Sequence, residues 1–242
     1  IRQAADFLKG KKGTTLVISG DTPLLTSETL DQLFEYHQGK NASATILTAH
    51  ADDPSGYGRI LRDRVGIVDR IVEQKDASTE EAQVKEINTG TYCFDNELLF
   101  EALDNITTDN VQGEYYLTDI IEILKEQGHI VAAYQTSDFE ESIGVNDRVA
   151  LAQANNIMRR RINRKHMQNG VSFIDPNTSY IDDGVKIGAE TIIDPGVSLK
   201  GETVIGENCV ITQNSQITDS RIEDGVTVKS STIEESIVYS KA

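Results

Sequence analysis

Residues 181–217 read IDDGVKIGAETIIDPGVSLKGETVIGENCVITQNSQI, and an aliphatic side chain recurs at every sixth position. The recurring side chains are Ile181, Ile187, Ile193, Leu199, Ile205, Ile211 and Ile217. A period of six fits neither an α-helix nor a hairpin array, but it is typical of a parallel β-helix in which each hexad supplies one short strand and a turn. The alternative, a β-sandwich with fortuitous spacing, has to produce seven consecutive matches. We therefore predict a β-helix whose interior holds these side chains.

The repeat continues less regularly towards the end of the chain. After Ile217 the spacing slips to Ile222, Val228 and Ile233. With three hexads in each coil, about four coils are present. Open coils without a polar cap expose apolar surface, so we expect further sequence or another subunit to cover the last one.

The sequence before the repeat has a different pattern, in which apolar strands alternate with helices. Residues 14–19 form a short apolar run between two glycines, which predicts a buried parallel strand. Thr26 or Ser27 is placed to cap the helix that follows, and residues 42–48 form a second apolar strand. This order predicts a βαβ unit and therefore an α/β domain.

Further elements complete this domain. The patterns predict strands at 65–68, 71–73, 86–94 and 130–134, and helices at 95–104, 117–127 and 145–162. Residues 1–8 resemble the late part of an amphipathic helix, so we expect the chain to begin inside a domain. The predicted division is a first domain at 1–147, a connecting helix at 148–169 and the β-helix at 170–242.

Composition limits the classes of partner. The formal net charge is −16 and the pI is about 4.6, so the long-range field repels polyanions, and we expect neither nucleic acid nor a membrane as a partner. A small phosphorylated ligand stays compatible, because local donors or a metal override the global field. No apolar run is long enough for a membrane span and no signal peptide is visible, which favours a cytoplasmic protein. Cys93 and Cys209 fall in different predicted domains, so we expect buried, reduced thiols.

A basic run lies in the connecting helix, where Arg159, Arg160 and Arg161 are followed by Arg164, Lys165 and His166. Such a run is compatible with a phosphate or nucleic-acid patch. A solvated helix face is the commoner explanation of a run of like charges, and we adopt it here.

Two polar residues follow predicted elements at positions suited to a metal. Asp21 stands two residues past a predicted parallel strand, and in open α/β sheets ligands gather outside the carboxyl ends of the strands. The alternative is a turn Asp that bonds to its own backbone. Asn146 opens the long helix, where it is either an N-cap or a metal ligand.

Other polar groups suggest a ligand site but each has a structural alternative. Gly58 permits close backbone approach to a ligand, and it also suits a turn. Glu73 ends an apolar strand, and Asn88 lies inside one, where it needs a hydrogen-bond partner from a ligand or from the protein. Tyr116 and Thr118 precede a helix, and Thr118 also suits a cap.

Six motifs in order, followed by the hexads, resemble the bacterial family of bifunctional N-acetylglucosamine-1-phosphate uridyltransferases and glucosamine-1-phosphate acetyltransferases. The motifs are Gly20–Leu24 (GDTPL), Gly56–Ile60 (GYGRI), Val72–Ala77 (VEQKDA), Glu86–Gly90 (EINTG), Gln112–Tyr116 (QGEYY) and Gly144–Arg148 (GVNDR). The resemblance spans the whole chain. The motifs around Glu73 and Asn88 also argue against relatives that activate glucose 1-phosphate.

The resemblance implies a Rossmann-like α/β nucleotidyltransferase domain, truncated at its N-terminus, followed by a left-handed parallel β-helix. It implies Mg²⁺-dependent uridylyl transfer from UTP to N-acetylglucosamine 1-phosphate, giving UDP-N-acetylglucosamine and pyrophosphate for cell-wall precursors. For the parent protein it also implies acetylation of glucosamine 1-phosphate by acetyl-CoA. The β-helix of this family implies a homotrimer.

The resemblance also assigns roles to individual residues. It makes Asp21 and Asn146 the catalytic pair and the ligands of Mg²⁺. The substrate-binding residues that it implies are Ser19, Gly20, Asp21, Gly58, Glu73, Asn88, Tyr116, Thr118 and Asn146. Ser19 is a departure, because many members carry Tyr there.

Parts of the family pattern are not found in this sequence. The Gly-rich phosphate loop, the residues that bind uracil and the acetyltransferase residues have no counterpart in it. We therefore expect the 242-residue chain to be inactive by itself although folded. A second hypothesis is a non-catalytic assembly or regulatory subunit with the same architecture, but the retained pair of Asp21 and Asn146 favours the enzyme.

Overall fold

The computed structural model describes residues 1–240. The chain forms two compact units, Ile1–Ala150 and Leu151–Ala242. The division at 147, 148–169 and 170 stays a prediction, and each unit is described by itself below.

A six-stranded mixed sheet forms the centre of the first unit. Its strands are β1 (Thr14–Val17), β2 (Ala44–His50), β3 (Arg59–Arg62), β4 (Val68–Val72), β5 (Glu86–Asp95) and β6 (Val131–Gln135). The order is β4-β3-β5-β2-β6, and β1 also pairs with β5. The long strand β5 runs antiparallel to β1, β2 and β3, whereas β2 and β6 are parallel. Strand β5 is therefore the organising strand of the unit.

Helices flank this sheet and bury its apolar side chains. They are α1 (Ala5–Leu8), α2 (Ser27–Gly39), α3 (Asn96–Leu103) and α4 (Asp119–Glu126), with short 3₁₀ helices at Arg2–Ala4, Glu81–Gln83 and Phe139–Ser142. Thr26 caps α2 by accepting a hydrogen bond from the Thr29 N–H, as predicted. The core lies between the sheet and α3 and α4, where Phe94, Leu99 and Ile120 are fully buried.

Two strand predictions were wrong. The first strand is not a buried parallel one, because its partner among the described strands is the antiparallel β5, and Leu16 is 38% exposed. The predicted strand at 65–68 is mostly a turn, because the Asp63 carboxylate accepts hydrogen bonds from the N–H groups of Val65 and Ile67. Gly66 completes that turn with φ of +86°.

The second unit begins with most of α5 (Arg148–Gln168) and continues as a parallel β-solenoid. Three sheets of four parallel strands form its walls. The strands are β7 (Ser172–Phe173), β8 (Tyr180–Ile181), β9 (Lys186–Ile187), β10 (Ile192–Ile193), β11 (Ser198–Lys200), β12 (Val204–Ile205), β13 (Val210–Ile211), β14 (Gln216–Thr218), β15 (Arg221–Ile222), β16 (Thr227–Val228), β17 (Thr232–Glu234) and β18 (Ile237–Val238). Six of the seven hexad side chains are buried and Ile187 is partly buried, which confirms the predicted interior.

The slip after Ile217 shortens the corners without ending the solenoid. Only Asp219 and Ser220 separate β14 from β15, whereas four residues separate β12 from β13. The backbone makes these tight corners in the left-handed region, with φ of +47° at Asp219, +41° at Ser230 and +44° at Glu235. Each of the three sheets contains four strands, one from each coil, in agreement with the four coils that the repeat predicts.

Helix α5 packs on the first coil within the second unit. Ile162 joins the solenoid core, and the Asn163 amide donates to the carbonyls of Pro176 at 2.8 Å and Ser179 at 3.1 Å. Arg160, Arg164 and Lys165 are exposed, in line with a solvated helix face, but His166 is buried.

The remaining global predictions concern thiols and membranes. Cys93 and Cys209 are both free and buried, and burial raises the pKa of the Cys93 thiol to about 11. Among residues 1–240, every helix is too short or too polar to span a bilayer.

Candidate active site

The candidate site lies in the first unit, at a gap along one edge of β5. Strands β1 and β3 pair with this edge on either side of the gap. On that edge Val17 of β1 pairs with Tyr92, and Arg59 of β3 pairs with Ile87. Among the described strands, none covers residues 88–91 between these two pairs. The end of β1 and the start of β3 therefore flank a gap on β5, and this gap contains Asn88.

A bulge in β5 shapes this gap. Against β2, Tyr92 pairs with Ile46 while Asn88 pairs with Thr48, so three residues of β5 face one residue of β2. Gly90 lies in the bulge with φ of +78°, a conformation that favours glycine. Bulges re-aim side chains and are common beside active sites.

Ser19 closes the bulge from the side of β1. Its hydroxyl donates to the Gly90 carbonyl at 3.2 Å. A Cβ added at Gly90 would lie 2.6 Å from the Ser19 Oγ. The hydroxyl of Ser19 is therefore in direct contact with the bulge, and this contact leaves no room for a side chain at residue 90.

The structure brings Gly58, Glu73 and Asn88 together. The Asn88 N–H donates to the Gly58 carbonyl at 2.9 Å. A Cβ at Gly58 would lie 3.4 Å from the Glu73 Oε2 and 3.5 Å from the Asn88 Cβ. Three segments that are distant in sequence thus meet at one glycine, while the roles of these residues in binding stay predictions.

Thr118 belongs to the same cluster. It precedes α4, but its side chain makes no capping bond; instead its hydroxyl donates to the Glu73 Oε1 at 3.2 Å. The capping alternative for Thr118 is therefore wrong. Burial raises the pKa of Glu73, the hydrogen bond from Thr118 opposes that rise, and the charge of Asp76 adds to it.

Tyr116 lies on a loop that is fastened to the segment after Glu73. The Asp76 carboxylate accepts from the Val111 N–H at 3.0 Å, and Lys75 donates to the Gln112 side chain at 2.5 Å. Gln112 in turn donates to the Tyr116 hydroxyl at 2.6 Å. Asp76 and Gln112 belong to the sequence motifs, but the sequence alone did not indicate that they fasten the Tyr116 loop to the segment after Glu73.

The predicted metal pair is brought together by two loops. The Val145 N–H donates to the Asp21 carbonyl at 2.7 Å. A Cβ at Gly144 would lie 3.5 Å from the Asn146 Nδ2 and 3.6 Å from the Asp21 Oδ2, so both side chains converge beside Gly144. Rotation of the Asn146 amide by 180° presents its oxygen at the same place.

The structural alternatives for this pair are not supported. Within residues 1–240 the Asp21 carboxylate has no hydrogen-bond partner, so it does not act as a turn Asp. Asp147 rather than Asn146 caps α5, because its carboxylate accepts from the Ala150 N–H at 2.7 Å. Asp21 and Asn146 are both exposed, which leaves their side-chain oxygens open to a ligand.

Tyr57 connects the Gly58 loop with this pair, and sequence reasoning did not identify it. Its ring meets the Phe139 ring edge-on, with 6.3 Å between centroids. Burial raises the pKa of the Tyr57 hydroxyl, a backbone hydrogen bond with Gly144 lowers it, and the charge of Asp21 raises it. The cluster around Gly58 and the metal pair are therefore adjacent.

A family model described as nucleotidyl transferase matches residues 1–158. The chain belongs to the nucleotidyl transferase family. A second model, described as bacterial transferase hexapeptide (six repeats), matches residues 184–219 in the solenoid. Both matches agree with the predicted fold, an α/β nucleotidyltransferase domain followed by a hexapeptide β-solenoid.

Curated relatives extend the same likeness over the chain. A protein of Enterococcus faecalis, named bifunctional protein GlmU, is 69% identical over 242 residues, which are 100% of this chain and 53% of the relative. A protein of Latilactobacillus sakei with the same name is 60% identical over 239 residues, 99% of this chain and 52% of the relative. The chain thus spans about half the length of the curated relatives it matches. This likeness confirms the resemblance drawn from the six motifs.

A solved structure was also matched. It is a putative glucose-1-phosphate thymidylyltransferase from Bacillus anthracis in complex with a sucrose, at 22% identity and a TM-score of 0.49. The match covers 64% of this chain and 57% of that one.

Membership of the nucleotidyl transferase family indicates a divalent metal, and the donor set fits one. Asp21 offers a carboxylate without a hydrogen-bond partner within residues 1–240, and Asn146 offers an amide oxygen. Hard divalent cations bind to few protein oxygens and keep positions for water and phosphate. Among residues 1–240, no three His, Cys, Asp or Glu side chains form a metal cluster, so this open two-residue arrangement is the candidate centre.

Proposed function

We propose that this chain carries the sugar-phosphate side of an Mg²⁺-dependent uridylyl transferase. The reaction joins UTP and N-acetylglucosamine 1-phosphate to give UDP-N-acetylglucosamine and pyrophosphate. The observation that carries the proposal is the convergence of Asp21 and Asn146 beside Gly144, next to the cluster of Gly58, Glu73 and Asn88. The names of the relatives, which describe bifunctional proteins, support it.

Asp21 and Asn146 hold Mg²⁺ in this proposal. When bound, the metal neutralises charge that develops on the phosphates. A phosphate oxygen of the sugar phosphate attacks the α-phosphorus of UTP in line, a new P–O bond forms, and the bond to pyrophosphate breaks. The protein contributes alignment, and no side chain forms a covalent intermediate.

Glu73 and Asn88 bind the sugar. Thr118 occupies the Glu73 Oε1, which leaves Oε2 beside Gly58 to accept a sugar hydroxyl. The Asn88 Oδ1 already accepts from the Gly90 N–H at 3.1 Å, which fixes the amide plane. The Asn88 side chain also forms a hydrogen bond with the Tyr92 hydroxyl, which lowers the pKa of Tyr92 against the rise caused by burial. The Gly58 backbone lets the N-acetyl group come close.

Ser19, Gly20 and Tyr116 border the same site in this proposal. Ser19 contacts the Gly90 carbonyl at 3.2 Å, and Gly20 directly precedes Asp21. The Tyr116 hydroxyl accepts a hydrogen bond from Gln112. Burial raises the pKa of Tyr116, this hydrogen bond lowers it, and the charges of Asp76 and Glu73 raise it. These three residues line the substrate without taking part in the chemistry.

For the whole protein we propose a second activity and an assembly. The relatives are named bifunctional and the second unit matches the hexapeptide model. Acetyl transfer from acetyl-CoA to glucosamine 1-phosphate is the second activity, and the solenoid supports a homotrimer. The product serves cell-wall precursor synthesis in the cytoplasm.

Calorimetric titration of the chain tests the sugar site directly. With Mg²⁺ present, we expect N-acetylglucosamine 1-phosphate to bind more tightly than glucose 1-phosphate, because Gly58 and Asn88 receive the N-acetyl group. Asn88→Ala should weaken binding about tenfold, the loss of one or two hydrogen bonds. Equal affinity for both sugar phosphates, or an unchanged affinity in Asn88→Ala, would contradict the assignment.

A chimaera tests turnover. In it, this chain replaces the matching segment of the Enterococcus faecalis relative, which is 69% identical. Pyrophosphate release that requires UTP, N-acetylglucosamine 1-phosphate and Mg²⁺ together is the expected result. A chimaera that folds and acetylates but releases no pyrophosphate would contradict the proposal.

A further inference from the structure

A buried carboxylate that the proposed mechanism does not use lies next to the metal loops. Glu141 is only 7% exposed, in the 3₁₀ helix Phe139–Ser142. Its Oε1 accepts from the Thr26 hydroxyl at 3.1 Å, and its Oε2 lies 3.5 Å from the Thr26 N–H. A buried acid is costly unless hydrogen bonds satisfy it, so this contact between two distant segments calls for an explanation.

The contact closes a ring that contains both proposed metal ligands. Asp21 precedes Thr26 by five residues, and Glu141 precedes Asn146 by five residues. At one end of this ring Glu141 meets Thr26, and at the other end the Val145 N–H donates to the Asp21 carbonyl at 2.7 Å. Two short loops fastened at both ends have little freedom to separate.

The hydrogen bonds at Thr26 favour a firm contact. Its hydroxyl accepts from the Thr29 N–H at 3.2 Å as the cap of α2, and its single proton has two acceptors within reach, the Thr29 hydroxyl at 3.2 Å and the Glu141 carboxylate at 3.1 Å. The charged carboxylate is the stronger acceptor, so we expect the proton to point to Glu141. A hydroxyl that donates to a carboxylate forms a charge-assisted bond, stronger than a neutral one. The carboxylate also lies at the N-terminus of the 13-residue helix α2, where negative charge is stabilised.

We propose that Glu141 is a positioning residue, which locks the loop of Asn146 to the loop of Asp21 through Thr26 and so sets the affinity of the metal site. The inference rests on the proposed function, because it takes Asp21 and Asn146 as ligands. Glu141 does not touch the metal. It acts by fixing the separation of the two ligands before the metal binds.

Binding of Mn²⁺, followed by the electron paramagnetic resonance signal of the free ion, tests the proposal without an activity assay. Glu141→Ala should weaken Mn²⁺ binding about tenfold, the range seen for residues that orient metal ligands. Glu141→Gln should stay within about threefold of the parent, because its amide oxygen still accepts from Thr26. If removal of charge alone weakened binding, Glu141→Gln and Glu141→Ala would be affected alike, and the proposal would be wrong.

Matched variants separate positioning from stability and from charge. Glu35→Ala removes an exposed acid from α2 and should leave Mn²⁺ affinity unchanged. Thr26→Val should weaken Mn²⁺ binding as much as Glu141→Ala, whereas Thr26→Ser keeps the hydroxyl and should bind Mn²⁺ like the parent. The double variant Thr26→Val with Glu141→Ala should bind Mn²⁺ no more weakly than either single variant. These measurements also decide the matter if Glu141→Ala does not fold. If the Glu141 and Thr26 variants have a lower unfolding temperature but an unchanged Mn²⁺ affinity, the role of Glu141 is merely structural and the proposal is overturned.

The parent and Asp21→Ala distinguish this inference from the proposed function. If the parent does not bind Mn²⁺, or Asp21→Ala binds it equally well, the metal site itself is wrong. If Asp21→Ala loses binding while Glu141→Ala and Thr26→Val keep it, the site stands and the positioning role of Glu141 is wrong.

Discussion

The two units of this chain are built from contacts of different range. In the solenoid each coil meets the next one at a nearly constant separation, as when the Thr191 hydroxyl donates to the Gly206 carbonyl at 2.8 Å. In the first unit the site depends on contacts between distant segments, such as Asp21 with Val145 and Ser19 with Gly90. A regular repeat stabilises structure locally, whereas the irregular sheet assembles chemistry from many segments.

The largest expected effect separates the two units by function. In the chimaera, Asp21→Ala should lower uridylyl transfer about 100-fold or more, because the metal contributes several kcal/mol to the transition state. The matched control is Asp183→Ala in the solenoid, whose side chain is 80% exposed, and it should leave the rate unchanged. Pyrophosphate release is the measurement. Activity of Asp21→Ala within threefold of the parent would remove Asp21 from the metal site.

The next effect concerns stability of the solenoid. A Cβ at Gly188 would lie 2.6 Å from backbone atoms of Gly206 and Glu207 in the next coil, and backbone yields little. Gly188→Ala should therefore lower the free energy of unfolding of the second unit by about 1–3 kcal/mol. Denaturant unfolding measures this loss. Gly39→Ala in the first unit is the control, because nothing lies within 4 Å of its Cβ position, and equal losses in both would refute the packing argument.

A similar substitution in the first unit should affect binding as well as stability. Gly90→Ala places a Cβ 2.6 Å from the Ser19 hydroxyl, in backbone with φ of +78°. We expect a loss of about 1–2 kcal/mol in unfolding free energy and weaker binding of the sugar phosphate, because Asn88 shifts with the bulge. Calorimetry and denaturant unfolding together check this. Lower stability with unchanged sugar-phosphate affinity would show that the bulge does not shape the site.

The smallest effect is a dependence of stability on pH. Burial raises the pKa of Glu73, so its ionised form disfavours folding above that pKa, and this cost disappears below the ordinary Glu value of about 4.3. Glu73→Gln should therefore raise the free energy of unfolding at neutral pH by less than about 1 kcal/mol, and the gain should shrink as pH falls. It should also weaken sugar binding. A gain that grows towards acid pH would contradict the buried carboxylate.

The solenoid could be predicted residue by residue, because the position of a side chain within its hexad indicates whether it lies in the interior. The first unit was less predictable from local pattern. Val65 and Ile67 looked like strand residues but lie in a turn, since Asp63 bonds to their N–H groups. The antiparallel partner of β1 is a segment 75 to 81 residues away, from the pair Val17 and Tyr92 to the pair Thr14 and Asp95, which no local pattern indicates.

The candidate site was predicted through ordered motifs rather than through spacing. Asp21 and Asn146 each had a plausible structural alternative, and only the contacts of Gly144 and Asp147 decide between them. Glu141 was missed because an acid in an acidic stretch looks like a surface residue. Its burial depends on Thr26, a partner 115 residues away.

The most direct test of the central claim is paramagnetic broadening of backbone amide signals by Mn²⁺. In a chain with net charge −16, nonspecific binding of cations is the main competing explanation. If the metal binds between Asp21 and Asn146, the amide signals of Gly20, Asp21, Val145 and Asn146 broaden first, at a ratio of Mn²⁺ to protein well below one, while solenoid signals persist. Broadening spread evenly over the acidic surface of both units, or centred away from Asp21 and Asn146, would contradict that claim.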